Sequence, residues 1–290
     1  MLLIVGTTPE TDFPLIEGEA CLEGAGLTVA GRGIPVNRGT AALLAAAAAT
    51  LAHYSQPPPS ACLAHDTGMG GGSRLLYEHL AHVLPNRKAG VLCFHYLQPD
   101  VDWHNRVLFA IQGMDPRPLL IADAGYMYVA KMSGQAGEYD LFTPDAGELA
   151  FLADETAPHP FYTRGFILHE NTKVPDLILR AYAHRNASRY LLIKGKTDYL
   201  ADSRGILAAV AEPLIEALEP IGGTGDTLTG IAAALVTMGL DLEAAALLAA
   251  RVNRRAGLLA APTPATQVAE IIACIPQALA ALQGPAISKR

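Results

Sequence analysis

Asp226 is the residue whose neighbours point most plainly to chemistry. It closes the run Gly222, Gly223, Thr224, Gly225, Asp226, which leads straight into apolar residues at helical spacing: Leu228, Ile231, Ala232, Leu235 and Met238. Glycines let backbone N–H groups converge on a ligand, and the first turn of a helix adds unpaired donors and partial positive charge. The turn therefore suits a phosphate or another anion. A carboxylate beside such a cradle can take a proton from a hydroxyl while the amides hold charge building on a transferred phosphoryl group. The plainer alternative makes Asp226 a partner of the helix dipole and Gly239 a helix stop. The glycines favour the first reading, because each costs conformational entropy that an ordinary helix start does not need.

Other candidates are single residues at strand ends. Lys194 follows an apolar run and precedes Gly195, a good place for a point charge on phosphate; the bland reading is a solvated lysine. Asp145 and Glu148 stand three apart at a helix start, which fits a capping box and equally fits hard oxygen donors for a magnesium ion. Gly68 and Gly70, in GMGGGS, follow a strand and open a helix. The run is a poor dinucleotide fingerprint and reads as a tight turn or as close backbone approach to a ligand. Asp123 ends another strand. Cys93, His95, Asp100, Asp102 and His104 match no metal-ligand frame. No P-loop and no G-x-S-x-G occur.

These residues need elements to hold them. LLIV (residues 2–5) reads as a buried strand, and the stretches flanking EGAG as a hairpin over 20–36, a small flap. An Ala-rich helix begins at Thr40, and Asn37, Arg38 and Gly39 ahead of it could face a ligand but read more simply as a polar loop. From Ser60 strands and helices alternate: strands at 61–65, 89–97, 118–123, 139–144, 189–195 and 205–211, with helices after 73 and near 175–184. Two more helices span 242–260 and 266–282, and 159–171 reads as a surface loop. This alternation implies an α/β fold, a doubly wound, mostly parallel sheet with helices on both faces, in a single domain over 1–290. Ligands of such sheets bind at the carboxyl ends of the strands, so the loops at Asp123, Thr143 and Lys194 should gather with the Gly222 turn.

With 290 residues, 51% hydrophobic and 17% charged, the chain can bury a large core and has no signature of disorder. A net charge of −7 argues against nucleic-acid or anionic-membrane partners and for a small-molecule one. Its apolar helical tracts read as core helices rather than spans, and four scattered cysteines without CxxC indicate neither zinc nor a disulfide framework. A cytoplasmic protein is expected.

GGTGDTLTGIAAAL (222–235) resembles the C-terminal signature of the ribokinase-like superfamily, and most closely the ADP- or ATP-dependent NAD(P)H-hydrate dehydratases, the carbohydrate-kinase-like domain of the YjeF proteins. DTGMG (66–70), LLIADAG (119–125), TPDAGELAFL (143–152) and LLIKGKTDYLAD (191–202) are similar, in order, to that family's substrate loop, strand-end aspartate, TPHPGE-like segment and lysine-glycine strand. The resemblance implies ATP or ADP with Mg2+ as cofactors, Asp226 as catalytic base, and a nucleotide site of Gly222, Gly223, Thr224, Gly225 and Lys194, with Asn253 near the adenine. It implies Gly68, Gly70 and Asp123 on the substrate side, and Glu148 and Asp145 about the metal. A homo-oligomer is expected. In the dehydratases the nucleotide phosphorylates a hydroxyl of the hydrated nicotinamide ring and phosphate then leaves; the alternatives are a small-molecule kinase, which releases the phosphorylated alcohol, and a non-catalytic nucleotide sensor. The sequence departs from the pattern at its first strand, at Asp145-Ala146 in place of His-Pro, and at GYMY, where an asparagine is expected.

Overall fold

Every residue of the first strand, β1 (Leu2–Thr8), is buried, as happens where a strand is covered on both faces. The computed structural model describes residues 1–11, 13–24, 26–156 and 173–282; the surface loop expected at 159–171 lies outside them. After β1 come β2 (Ile16–Glu23), β3 (Gly26–Val29), β4 (Arg32–Ile34), α1 (Gly39–His53), β5 (Ser60–His65), α2 (Gly71–Val83), β6 (Val91–His95), α3 (Val101–Gln112), β7 (Leu119–Ala122) and α4 (Gly125–Met132). The second half holds β8 (Leu141–Phe142), α5 (Ala146–Ala153), α6 (Val174–Ala183), β9 (Tyr190–Ile193), β10 (Asp198–Asp202), β11 (Gly205–Val210), α7 (Thr224–Thr237), α8 (Leu242–Leu259), α9 (Val268–Ala273) and α10 (Ile275–Ala281).

The strands form a sheet in the order β11-β10-β9-β8-β7-β6-β1-β5-β2-β3-β4. From β9 to β5 it is parallel. Side chains alternate between two cores: Leu2, Ile4, Val91 and Cys93 pack with α1 and α7 to α10, while Leu3, Val5, Leu92 and Phe94 pack with α2 to α6. The doubly wound, mostly parallel sheet expected from the alternation of elements is therefore present.

Three local expectations are corrected. The hairpin over 20–36 is no flap, because β2 pairs antiparallel with β5 and carries β3 and β4 onto the sheet edge. The run 205–211 does not continue the parallel pattern: β10 and β11 fold back antiparallel, since the link from β9 to β10 is too short for a crossover. The helix over 266–282 is two, with Pro276 in the first turn of α10, where its missing N–H leaves no bond unmade.

One packing contact positions the site. α1 lies against α7 through small residues, and a methyl at Gly230 would run into the Leu43 carbonyl. That close approach sets the first turns of the two helices side by side.

Candidate active site

Phe94 lies beside Ala122, Ala122 beside Phe142, and Phe142 beside Leu191 across the parallel strands. The residues that end or follow these strands, His95, Asp123, Thr143 and Lys194, therefore emerge together at the carboxyl edge, and α7 brings Asp226 and Thr229 up to them. A cleft of about 610 Å3 opens there, with Arg38, Tyr96, Lys194, Thr224, Asp226 and Asn253 in its wall.

Asp226 is 9% exposed. Its Oδ2 accepts the Gly39 N–H at 2.7 Å, and its Oδ1 accepts from His95 Nε2 at 3.0 Å. Burial pushes its pKa up, but the hydrogen bond and charge interaction with His95, the nearby Lys194 ammonium and the Gly39 amide outweigh burial and hold it down to about 2. His95 is fully buried, and its Nδ1 lies 2.9 Å from the Thr40 hydroxyl. Gly39 has φ of +67° and would place a Cβ 3.1 Å from the Tyr96 ring, so the peptide that reaches Asp226 needs glycine. Tyr96 and Ala124, just past His95 and Asp123, hold left-handed φ of 53° and 50° without being glycine. Such conformations cost about 1–3 kcal/mol each and cluster at functional sites.

Asp123 is 1% exposed. Lys194 Nζ donates to its Oδ1 at 2.8 Å, as does the Ala124 N–H, and the Thr229 hydroxyl donates to Oδ2 at 2.6 Å. Both oxygens are engaged, so Asp123, itself on the cleft wall, holds the lysine in place there. Burial disfavours the Lys194 ammonium, but Asp123, Glu148 and Asp226 outweigh it and raise its pKa. His95, Asp123 and Asp226 offer ligand atoms within 4.8 Å of one another, yet the positive charge such a cluster would want is already supplied by Lys194.

The α7 start carries no side-chain cap, and Gly223 ahead of it has φ of +99°. Thr227 N makes the first helical bond, to Gly223 O at 3.0 Å, which leaves the amides of Thr224, Gly225 and Asp226 without an intrahelical acceptor. Asn253 is on the cleft wall and also braces the turn. Its Nδ2 donates to Thr224 O at 2.9 Å and its Oδ1 accepts the Thr227 hydroxyl at 2.6 Å, tying α8 to this turn.

Asp145 and Glu148 form the capping box: Asp145 Oδ1 accepts the Glu148 N–H at 2.8 Å and Glu148 Oε2 the Asp145 N–H at 2.9 Å. Both also line the cleft, and Glu148 Oε1 stays outside the box. Burial pushes the Glu148 carboxyl up to about 8; Lys194 pulls it down, and Asp123 and Asp145 push it further up. An acid whose pKa is raised by folding adds stability below its unfolded value of 4.5, and that stability is lost as pH rises to about 8. Glu148→Gln keeps the capping pattern and removes the titration. Its melting temperature should gain on the natural protein across that pH window, and thermal melts showing a constant gap would refute the shift.

Gly68 and Gly70 are not at this cleft. They line a separate cavity of about 440 Å3 with Arg74, Gln98 and Asp100. The Asp66 carboxylate accepts their N–H groups at 2.9 and 3.0 Å and the N–H and hydroxyl of Ser73 besides, so the loop is organised by its own aspartate.

Sequence reasoning offers Arg38 and Gly39 as residues that could face a ligand, but does not pair His95 with Asp226. It groups His95 with Asp100, Asp102 and His104, but Asp100 caps α3 and His104 bonds Tyr139 at 2.8 Å, so the group is scattered. The available signal is its place at the end of a parallel strand, as for Asp123 and Lys194.

Similar folds are seen in a pyridoxal kinase from Staphylococcus aureus (TM-score 0.55, 12% identity, 88% of this chain and 86% of that one). Phosphofructokinase-2 from Escherichia coli, in complex with potassium, is similar at TM-score 0.55 and 14% identity, over 97% of this chain and 99% of that one. The fold is thus that of the ribokinase-like kinases. A family model described as NAD(P)H-hydrate dehydratase matches residues 100–277, and the chain belongs to that enzyme family. An uncharacterized protein of Methanocaldococcus jannaschii is 38% identical over 238 residues, covering 82% of this chain and 98% of the relative. An ADP-dependent (S)-NAD(P)H-hydrate dehydratase of Cenarchaeum symbiosum is 29% identical over 152 residues, covering 52% of this chain and 47% of the relative. Among the described residues no helix is long and apolar enough to cross a membrane.

Proposed function

We propose that the chain is a nucleotide-dependent dehydratase that acts on hydrated NAD(P)H or a close analogue, by phosphorylation of a hydroxyl followed by loss of phosphate. The observation that carries this reading is Asp226, an ionised carboxylate set among the uncapped amides of α7 and 2.7 Å from the Gly39 N–H. The amides of Gly223 to Asp226 hold the terminal phosphate, and Lys194 adds a positive charge beside them. Asp226 takes the proton of the attacking hydroxyl as its oxygen closes on phosphorus. Leu214, Ile215, Leu218 and Ile271 give the other end of the cleft an apolar wall suited to a nucleobase. The C. symbiosum relative's dependence on ADP supports ADP as well as ATP as phosphoryl donor.

Magnesium fits the same reading, since Glu148 and Asp145 are hard oxygen donors on the cleft wall. When bound there it neutralises phosphate charge. Glu148 would hold it through Oε1, which lies outside the capping box and also accepts the Tyr128 hydroxyl at 3.4 Å, and the role of Asp145 is to fix Glu148 through that box.

A small-molecule kinase is the second reading, supported by the departures on the substrate side. Asp145-Ala146 and the GYMY run beginning at Gly125 replace residues the dehydratases use there. Purified protein with magnesium and ATP or ADP, offered hydrated NADH and a panel of alcohols and sugars, separates the readings. Recovery of NADH absorbance supports the dehydratase, and a phosphorylated alcohol the kinase. Tight nucleotide binding without turnover leaves only a sensor, and no nucleotide binding at all defeats all three.

A further inference from the structure

Two nitrogens of one buried ring join elements that are far apart in the chain. His95 Nε2 meets Asp226 Oδ1 at 3.0 Å, and Nδ1 lies 2.9 Å from Thr40 Oγ1 on α1. An ionised carboxylate only accepts, so Nε2 carries the proton at that contact. The Thr40 hydroxyl at Nδ1 fixes the ring at its second nitrogen. The Gly39 N–H takes the other carboxylate oxygen, so the Asp226 side chain is gripped at both oxygens, and what remains of its lone pairs faces the cleft.

We propose that His95 is the positioning residue for the base: backed by Thr40, it aims Asp226 at the acceptor hydroxyl and keeps that carboxylate ionised for the attack. This rests on the function proposed above. In the step itself the O–H bond of the acceptor breaks and its proton goes to Asp226, the acceptor oxygen bonds to phosphorus, and the bond from phosphorus to the leaving nucleotide oxygen breaks. His95 neither gains nor loses a proton. The charged and titratable groups about Asp226 are His95 and Tyr96 at the end of β6, Asp123 after β7, Lys194 after β9, and Arg38 before α1. Lys194 stays in place when His95 is changed, so any movement in the Asp226 titration reports the imidazole.

The test compares His95→Phe, which keeps a ring of similar size without nitrogen, with His95→Gln, which restores an N–H donor without the imidazole. His95→Phe should lower kcat by about 10²-fold, the scale of a misplaced reacting group, with KM for the nucleotide unchanged. An acid limb that the natural protein lacks at ordinary pH should enter its pH–rate profile, and His95→Gln should fall between it and the natural protein in both kcat and limb. A merely structural histidine would lower melting temperature and kcat together and bring in no such limb, which overturns the proposal. A readout independent of turnover is the carbon-13 carboxyl shift of Asp226, assigned by its loss in Asp226→Asn and titrated in each variant. If the natural protein turns over none of the substrates offered, the proposed function fails while the titration still judges His95; if turnover is found and the titration does not move, His95 fails alone. Should His95→Phe not fold, an unmoved titration in His95→Gln is sufficient to reject the role.

Discussion

Asp226→Asn should fold, bind nucleotide and turn over about 10²–10⁴-fold more slowly, the range for losing a general base. The fold survives because the network can accommodate an amide. The asparagine carbonyl can accept the Gly39 N–H in place of Oδ2, and its NH2 can donate to His95 Nε2 once the ring proton moves to Nδ1, where Thr40 Oγ1 is 2.9 Å away. What cannot survive is proton acceptance, since an amide nitrogen has no lone pair to give. Melting temperature and calorimetric nucleotide affinity should both stay near those of the natural protein while kcat collapses. Near-natural turnover would remove Asp226 from the chemistry and with it the reading of the α7 start as a catalytic site. The depressed pKa carries its own consequence: burial raises it, but His95, Lys194 and the Gly39 amide bring it down to about 2. The natural enzyme should therefore show no acid limb from this group at ordinary pH. A base that weak suits a loose phosphoryl transition state, in which the proton leaves late and the anion hole carries most of the stabilisation.

The parts of this site that are legible in the sequence are those whose reason is local. Gly222 to Asp226 declares itself because a helix start that needs Gly223 at a φ of +99° is written in glycine. Lys194 and Asp123 stand at the ends of apolar runs, and parallel strands gather such ends on one edge whatever the details. The Asp145 and Glu148 spacing announces the capping box that is present. The rest depends on contacts that no window of sequence contains. His95 and Asp226 are 131 positions apart, and their pairing follows from α1 and α7 packing closely enough to bring Gly39 to the same carboxylate. Likeness places Asn253 near an adenine, whereas its two hydrogen bonds go to Thr224 and Thr227. The helix over 266–282 has the right composition, and Pro276 divides it. The glycine pattern groups Gly68 and Gly70 with the site. Their loop, however, turns on Asp66 and opens on another cavity.

Lys194→Met should cost roughly 3–5 kcal/mol of stability, the scale for stripping the partner from a buried charge. The reason is Asp123, 1% exposed, whose Oδ1 takes the ammonium at 2.8 Å. Without it the carboxylate keeps the Ala124 N–H and the Thr229 hydroxyl as hydrogen-bond donors, with His95 Nε2 at 4.0 Å, for one buried negative charge. The same lysine packs under the turn from Gly222 to Asp226, with its Cδ 3.3 Å from where a Cβ on Gly225 would lie. Nucleotide affinity should therefore fall alongside stability. Adding Asp123→Asn separates the two effects. The second change removes the stranded charge, so denaturant midpoints of the double variant should recover most of the loss, while nucleotide affinity and turnover stay low because the ammonium no longer faces the phosphates. If instead the single variant costs under about 1 kcal/mol, as exposed ion pairs do, the pair is solvated in practice. If the double variant regains turnover, Lys194 serves Asp123 alone and the phosphate is held by the amides of α7.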